Sequence, residues 1–89
     1  MIVRIEKSFE KDLKKIRDKS LERKVAFSIE NVAAAKNISI IKNIKDLKGS
    51  DIHFRIRIGD YRIGVILENK NEIVFIRILH RKEIYRFFP

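Results

Sequence analysis

The stretch Ile52-His53-Phe54-Arg55-Ile56-Arg57-Ile58-Gly59-Asp60-Tyr61-Arg62-Ile63-Gly64-Val65-Ile66-Leu67 decides how this chain folds. Ile52, Phe54, Ile56 and Ile58 alternate with His53, Arg55 and Arg57, which is the period of a strand with one buried face. Beyond Gly59-Asp60 the alternation resumes, with Tyr61, Ile63, Val65 and Leu67 against Arg62, Gly64 and Ile66. A Gly-Asp pair between two such runs predicts a two-residue hairpin loop. That loop sets the register: Ile58 opposes Tyr61, Arg57 opposes Arg62, Ile56 opposes Ile63, and Arg55 opposes Gly64. Arg55, Arg57, Arg62 and Gly64 then share one face, and the Ile/Phe residues take the other.

On the C-terminal side, Glu68–Asn71 is polar turn material and Glu72–Leu79 is a further strand rich in β-branched residues. His80–Pro89 reads as a closing segment of one or two helical turns. On the N-terminal side, Lys48-Gly49-Ser50-Asp51 is a turn, and Ile40–Leu47 fits a short helical turn and an extended connection equally well. Met1–Glu6 alternates as a short strand. Ser8 is positioned as a helix N-cap before the stripe Phe9, Leu13 and Ile16. Ser20 is positioned likewise before the stripe Leu21, Val25, Ile29 and Val32, with Asn37 as a C-terminal stop. The order is β-α-α-β-β-β with a short C-terminal helical turn. This is an α+β fold of two N-terminal helices packed on a small twisted antiparallel sheet, one domain over residues 1–89.

Composition narrows the function. The 89 residues carry 21 Lys+Arg against 12 Asp+Glu, a formal net charge of +9. The excess is spread along the chain, which contains no basic tail, linker or repeat. Such a balance points to nucleic acid, an acidic membrane surface or an acidic protein. There are no cysteines and only two histidines, His53 and His80, which leaves no disulfide framework and no metal site. No apolar run is long enough to span a membrane, and the N-terminal stretch lacks the pattern of a secretory signal, so a soluble cytoplasmic protein is expected. No Gly-rich phosphate loop, Ser/His/Asp set or motif-spaced carboxylate pair is present. Glu6, Glu10 and Asp12 read as helix-surface partners of lysines.

The arginines are the informative feature. Like charges directly opposed across a strand pair destabilise it. Arg57 across from Arg62, with Gly64 leaving space beside them, therefore suits an anion held between guanidinium groups. The plain alternative is a solvated basic face. Arg77 and Arg81 lie on or just after the last strand, Arg77 with the parity of Phe75 and Leu79, and Tyr85 follows. Several arginines and a tyrosine near one sheet face would grip RNA backbone and stack on a base. His53 shares the parity of Arg55 and Arg57.

Three runs carry a resemblance: Leu47-Lys48-Gly49, then Phe54 to Ile63, then Ile78-Leu79-His80-Arg81-Lys82-Glu83-Ile84-Tyr85. With the helix Phe9…Asp12-Leu13…Ile16 they resemble the RelE/ParE superfamily of type II toxins, over nearly the whole chain. The resemblance implies a cognate antitoxin protein. For the RelE branch it also implies endonucleolytic cleavage of mRNA in the 30S A site of the ribosome. In that reaction the ribose 2′-OH attacks the adjacent phosphate, with no metal or other cofactor and no DNA contact by the toxin alone. The basic strand positions fall on Arg55 and Arg57, the basic residue after the turn on Arg62, the one after the last strand on Arg81, and the tyrosine on Tyr85. Arg77, Lys82 and His53 are expected to add RNA contacts. Arginines stand where RelE-type enzymes often have lysines, and an arginine does not give up its proton. The general base would then be Tyr85, His80, His53 or a ribosomal group. A ParE-like gyrase inhibitor without nuclease activity and an inactive RNA- or partner-binding module are the competing readings.

Overall fold

The computed structural model, which describes residues Met1–Pro89, forms the hairpin in the expected register. Strands β3 (His53–Ile58) and β4 (Tyr61–Asn69) pair antiparallel with Ile58 opposite Tyr61, Arg57 opposite Arg62 and Arg55 opposite Gly64. Gly59 takes φ +56° at the first loop position, a left-handed conformation that costs glycine little. The other elements are β1 (Ile2–Ile5), α1 (Lys7–Lys15), α2 (Lys19–Ala34), β2 (Ile44–Asp46), β5 (Glu72–His80) and α3 (Ile84–Phe87). The sheet has five strands in the order β1-β5-β4-β3-β2.

Two features differ from expectation. The sheet is mixed, because β1 runs parallel to β5. In the ambiguous segment Ile40–Leu47 the extended alternative prevails: Ile44–Asp46 form β2, which extends the sheet beyond β3, and of the segment only Ile40 belongs to the 3-10 turn Ile38–Ile40. Asn43 makes this possible by adopting φ +61°, a region that asparagine tolerates better than most residues.

Most of the buried apolar side chains form one cluster on the helix side of the sheet. Phe9 of α1 and Leu21, Val25 and Val32 of α2 pack on Ile56, Ile58, Ile63, Val65, Ile73, Phe75 and Ile78. Phe9 meets Phe75 edge to face at 5.5 Å between ring centroids.

The capping expectations are corrected. α2 is capped by Asp18, whose carboxylate accepts from the Leu21 amide at 3.1 Å, and not by Ser20. Asn37 does not stop a helix but caps the 3-10 turn, accepting from the Ser39 amide. The N-cap position of α1 belongs to Glu6, which makes no side-chain cap, while the Ser8 hydroxyl donates to the Ile76 carbonyl. β1 pairs with β5 only as far as Phe75. Past that point α1 replaces the missing strand: Ser8 takes the Ile76 carbonyl, and Asp12 accepts from the Ile78 amide at 3.1 Å.

Asp12 is therefore no surface partner of a lysine. It is 6% exposed and binds Arg77 in a two-point fork, at 2.7 Å to Nε and 3.0 Å to Nη2. Arg77 reaches it because β5 bulges at Ile76: Val65 pairs with Phe75 but Gly64 pairs with Arg77. The bulge overturns the parity expectation, leaving Phe75 in the core and Arg77 on the opposite, Gly64 face. The hydrogen bond to Asp12 raises the Arg77 pKa, opposed in part by desolvation. The stabilisation tied to a raised pKa is complete below the unfolded value and is lost only above the folded one, so for an arginine it persists at every ordinary pH.

The Gly64 face carries a second, smaller core. Val74, Ile84 and Phe88 are the buried apolar residues outside the main cluster. The Phe88 ring lies directly on Gly64, where a Cβ would come nearer than 3.0 Å to three ring atoms. The space that the sequence reading assigned to an anion is thus filled by the C-terminal segment.

Two substitutions test this architecture. Asp12→Ala removes a buried acceptor from both Arg77 and the Ile78 amide, and should cost about 3 kcal/mol in denaturant unfolding. Gly64→Ala should leave the main core intact while displacing Phe88. The expected readout is loss of hydrogen-exchange protection confined to residues 84–88, with roughly 1–3 kcal/mol of destabilisation.

Candidate nucleic-acid interface

The polar face of the β3–β4 hairpin, the short strand β2 and α3 enclose an open groove of about 800 Å3. Its lining includes Arg55, Arg57, Arg62 and Tyr85, which the sequence had singled out, and Lys45, Lys48 and Asp46, which it had not. Five cations against one carboxylate make the groove strongly positive. The β2 residues escaped sequence reading because a three-residue strand is too short to show alternation. The one available signal was the lysine pair Lys45 and Lys48 leading into the turn at Gly49.

Register explains the convergence. Lys45 of β2 pairs with Arg55, Arg55 with Gly64, and Gly64 with Arg77, forming one row across four strands. Gly64 alone in that row has no side chain, and Phe88 sits there. Docking of Phe88 brings the α3 backbone and Tyr85 over β3. The Arg55 Nη2 donates to the Phe88 carbonyl at 3.2 Å, and its guanidinium carbon lies 4.2 Å from the Tyr85 ring centroid. Arg55 Nε is buried with no acceptor. Tyr85 itself is 71% exposed, which leaves the ring face away from Arg55 open to solvent.

The remaining arginines differ in how firmly they are held. Arg62 Nη1 donates to the Gly59 and Tyr61 carbonyls, both at 2.9 Å, so its guanidinium is folded back over the hairpin loop. Arg57, opposite it, is exposed. Arg77 is committed to Asp12, with its guanidinium 5.4 Å from the Phe87 ring centroid. Arg81 lies in the turn after β5, exposed and outside the groove lining, with its amide bonded to the Asp60 carbonyl at 2.8 Å. It therefore flanks the loop end of the hairpin. Lys82 is exposed beside it.

Neither histidine lines the groove. His80 packs on Tyr61, and its Nδ1 accepts from the Lys82 amide at 3.2 Å. His53 packs on Phe88, and its Nδ1 lies 2.7 Å from the Ser50 hydroxyl. That hydroxyl also accepts from the Ile52 and His53 amides. Nδ1 of each ring is thus engaged, by the Ser50 hydroxyl in His53 and by the Lys82 amide in His80. No three His, Asp or Glu side chains come together as a metal-holding group.

The comparisons with known proteins agree with one another. The family described as the ParE toxin of type II toxin–antitoxin systems matches residues 3–85. The chain is 39% identical to Toxin RelE3 of Methanocaldococcus jannaschii over 90 residues, covering 100% of both. The crystal structure of a RelB–RelE antitoxin–toxin complex from Methanococcus jannaschii superposes with a TM-score of 0.79 at 36% identity, covering 97% of this chain and 99% of that one. The toxin–antitoxin complex RelBE2 from Mycobacterium tuberculosis shares the fold, with a TM-score of 0.67 at 23% identity over 90% of this chain and 96% of that one. On a family match over nearly the whole sequence and a relative aligned from end to end, this chain belongs to the ParE toxin family, within the RelE/ParE superfamily of type II toxins.

Proposed function

We propose that this toxin cuts mRNA in the ribosomal A site in the cytoplasm, and that a cognate antitoxin protein holds it inactive. The observation that carries the reading is the gathering of Arg55, Arg57, Arg62, Lys45, Lys48 and Tyr85 in one groove. A groove of that composition fits a single RNA strand: cations track the phosphates and an exposed aromatic ring takes a base face.

The chemistry follows from the charges. The 2′-oxygen loses its proton and attacks the adjacent phosphorus, while the bond from phosphorus to the 5′-oxygen breaks and that oxygen takes up a proton. The products end in a 2′,3′-cyclic phosphate and a 5′-hydroxyl. Negative charge grows on the non-bridging phosphate oxygens, where arginine forks stabilise it most. Arg57 and Arg62 take that role, Arg62 by exchanging its hairpin carbonyls for phosphate, with Arg81 closing the site from the hairpin end. Arg55 is held by Phe88 and orients Tyr85. Lys45 and Lys48 guide the flanking backbone along β2. Within the groove, Tyr85, Asp46, Lys45 and Lys48 are the groups able to exchange a proton with the reacting oxygens, whereas the arginines are not. His53 and His80 lie outside the groove with Nδ1 engaged, so the histidines are weaker choices for the base.

The family's ParE designation favours a second reading, inhibition of DNA gyrase without RNA cleavage. One experiment separates the two. Expression without antitoxin should arrest growth and leave mRNAs truncated inside their reading frames, with downstream fragments bearing 5′-hydroxyl ends. Intact mRNA with gyrase-linked DNA breaks would establish the second reading instead.

Arg62→Ala should lower cleavage by roughly 100-fold or more, on the scale of losing a transition-state donor. Its two bonds run to the Gly59 carbonyl in the loop and the Tyr61 carbonyl at the start of β4, both at the end of the hairpin, so unfolding free energy should shift by no more than about 1 kcal/mol. Cleavage assays on translating ribosomes and thermal melts of the same preparation check both halves.

A further inference from the structure

A second groove, of about 470 Å3, lies on the helix side of the sheet between α2 and the β2–β3 edge. Its apolar lining is Ile41, Ile56 and Ile58, each at most 7% exposed, together with Phe27, which is 64% exposed. Around them stand Arg23, Lys24, Lys42 and Arg57, and no carboxylate lines the groove. Arg23, Lys24, Phe27 and Asn31 recur at helical spacing on a face of α2 distinct from its core stripe of Leu21, Val25 and Val32. A large aromatic side chain held in water on a cationic helix face has no function in the core, since the core is complete without it.

The geometry points to this groove as the seat of an acidic amphipathic segment of the antitoxin, an inference that rests on the antitoxin reading above. An apolar side chain of the segment packs beside Phe27, and its carboxylates meet Arg23, Lys24 and Lys42. Charge complementarity selects such an occupant: four cations without a counter-charge would repel a second copy of this +9 chain. The position also supplies a means of inhibition. Asn43 and Arg57 line both this groove and the basic groove of the opposite face. A carboxylate bound to Arg57 from the helix side withdraws its guanidinium from the RNA path while α3 stays docked.

The test measures binding of the purified chain to the protein encoded by the adjacent reading frame. Phe27→Ala and Lys24→Glu should each weaken binding about tenfold or more. Neither should change the melting temperature or the affinity for single-stranded RNA, since neither residue lines the basic groove. Lys24→Glu should also flatten the salt dependence of binding. Lys70→Glu, in the β4–β5 turn, removes equal charge elsewhere and should have little effect. Equal loss in Lys24→Glu and Lys70→Glu, or unchanged affinity in Phe27→Ala, overturns the inference while leaving the antitoxin reading in place. Conversion of a self-associated chain to monomer by Phe27→Ala, with antitoxin affinity unchanged, assigns the groove to a second copy and likewise overturns it. Failure of the unaltered chain to bind the adjacent protein removes the antitoxin reading and this inference together.

Discussion

The contact between the Phe88 ring and Gly64 organises the polar side of this molecule. Across the sheet, the row Lys45, Arg55, Gly64, Arg77 would be four side chains deep if position 64 carried one. The missing side chain opens a slot over the centre of the sheet, and Phe88 fills it to 3% exposure. That burial contributes roughly 1.5–3 kcal/mol, a large share of what a four-residue helix needs to stay docked. Docking in turn presents the Phe88 carbonyl to Arg55 and sets Tyr85 against the Arg55 guanidinium. One glycine thereby links the packing of the sheet to the placement of the single phenol in the basic groove.

A face with this many cations has to limit their mutual repulsion, and each is relieved differently. Arg77 is neutralised by Asp12, a carboxylate brought in from α1 because β1 ends early. Arg55 has a carbonyl and an aromatic face, which lower its energy without cancelling its charge. Arg62 turns back to the Gly59 and Tyr61 carbonyls at the end of the hairpin. Only Arg77 has its charge balanced by a carboxylate, so the row divides into a structural end at β5 and a chemically available end at β2 and β3. The buried, unpartnered Nε of Arg55 fits this division, because unsatisfied polar atoms are uncommon in folded proteins and tend to mark functional sites.

The parts of the fold legible in sequence were those governed by local periodicity. The two hairpin strands alternate cleanly, the loop pair Gly59-Asp60 fixes their register, and both helix stripes recur at steps of three and four residues. What escaped was set by tertiary partners. Ser8 and Ser20 have the chemistry of N-caps, but the Ile76 carbonyl claims Ser8 and Asp18 lies one residue before the start of α2. Asp12 looks like any acid on a lysine-rich helix until the β5 edge is placed beside it. The bulge at Ile76 reverses the parity of every β5 residue after it, and no propensity announces a bulge. For the groove, the hairpin arginines and Tyr85 were visible as residue types in a pattern, whereas Lys45 and Lys48 depend on β2, whose alternation is too short to read.

The use of arginine in place of lysine has its own consequence for the proposed reaction. A lysine in a cationic groove can lose its proton when neighbouring charges oppose it, and so can serve as a base. Arginine keeps its charge across the whole physiological range. The potential of this groove therefore contains a fixed contribution from Arg55, Arg57 and Arg62, and those residues cannot shuttle a proton. Proton transfer from the 2′-hydroxyl is then separated from charge stabilisation: the arginines make the phosphate electrophilic and hold it, while a different group moves the proton. Within the groove the groups that can take that part are Tyr85, Asp46, Lys45 and Lys48, with His53 and His80 outside it, or the ribosome supplies the group. A pH–rate profile of cleavage accordingly reports the groups that accept and donate the proton and not the arginines. Phenylalanine at position 85 and asparagine at position 46 test two of these choices, since the profile loses its limb only when the titrating group is removed, whereas loss of a stacking or positioning contact lowers the rate at every pH alike.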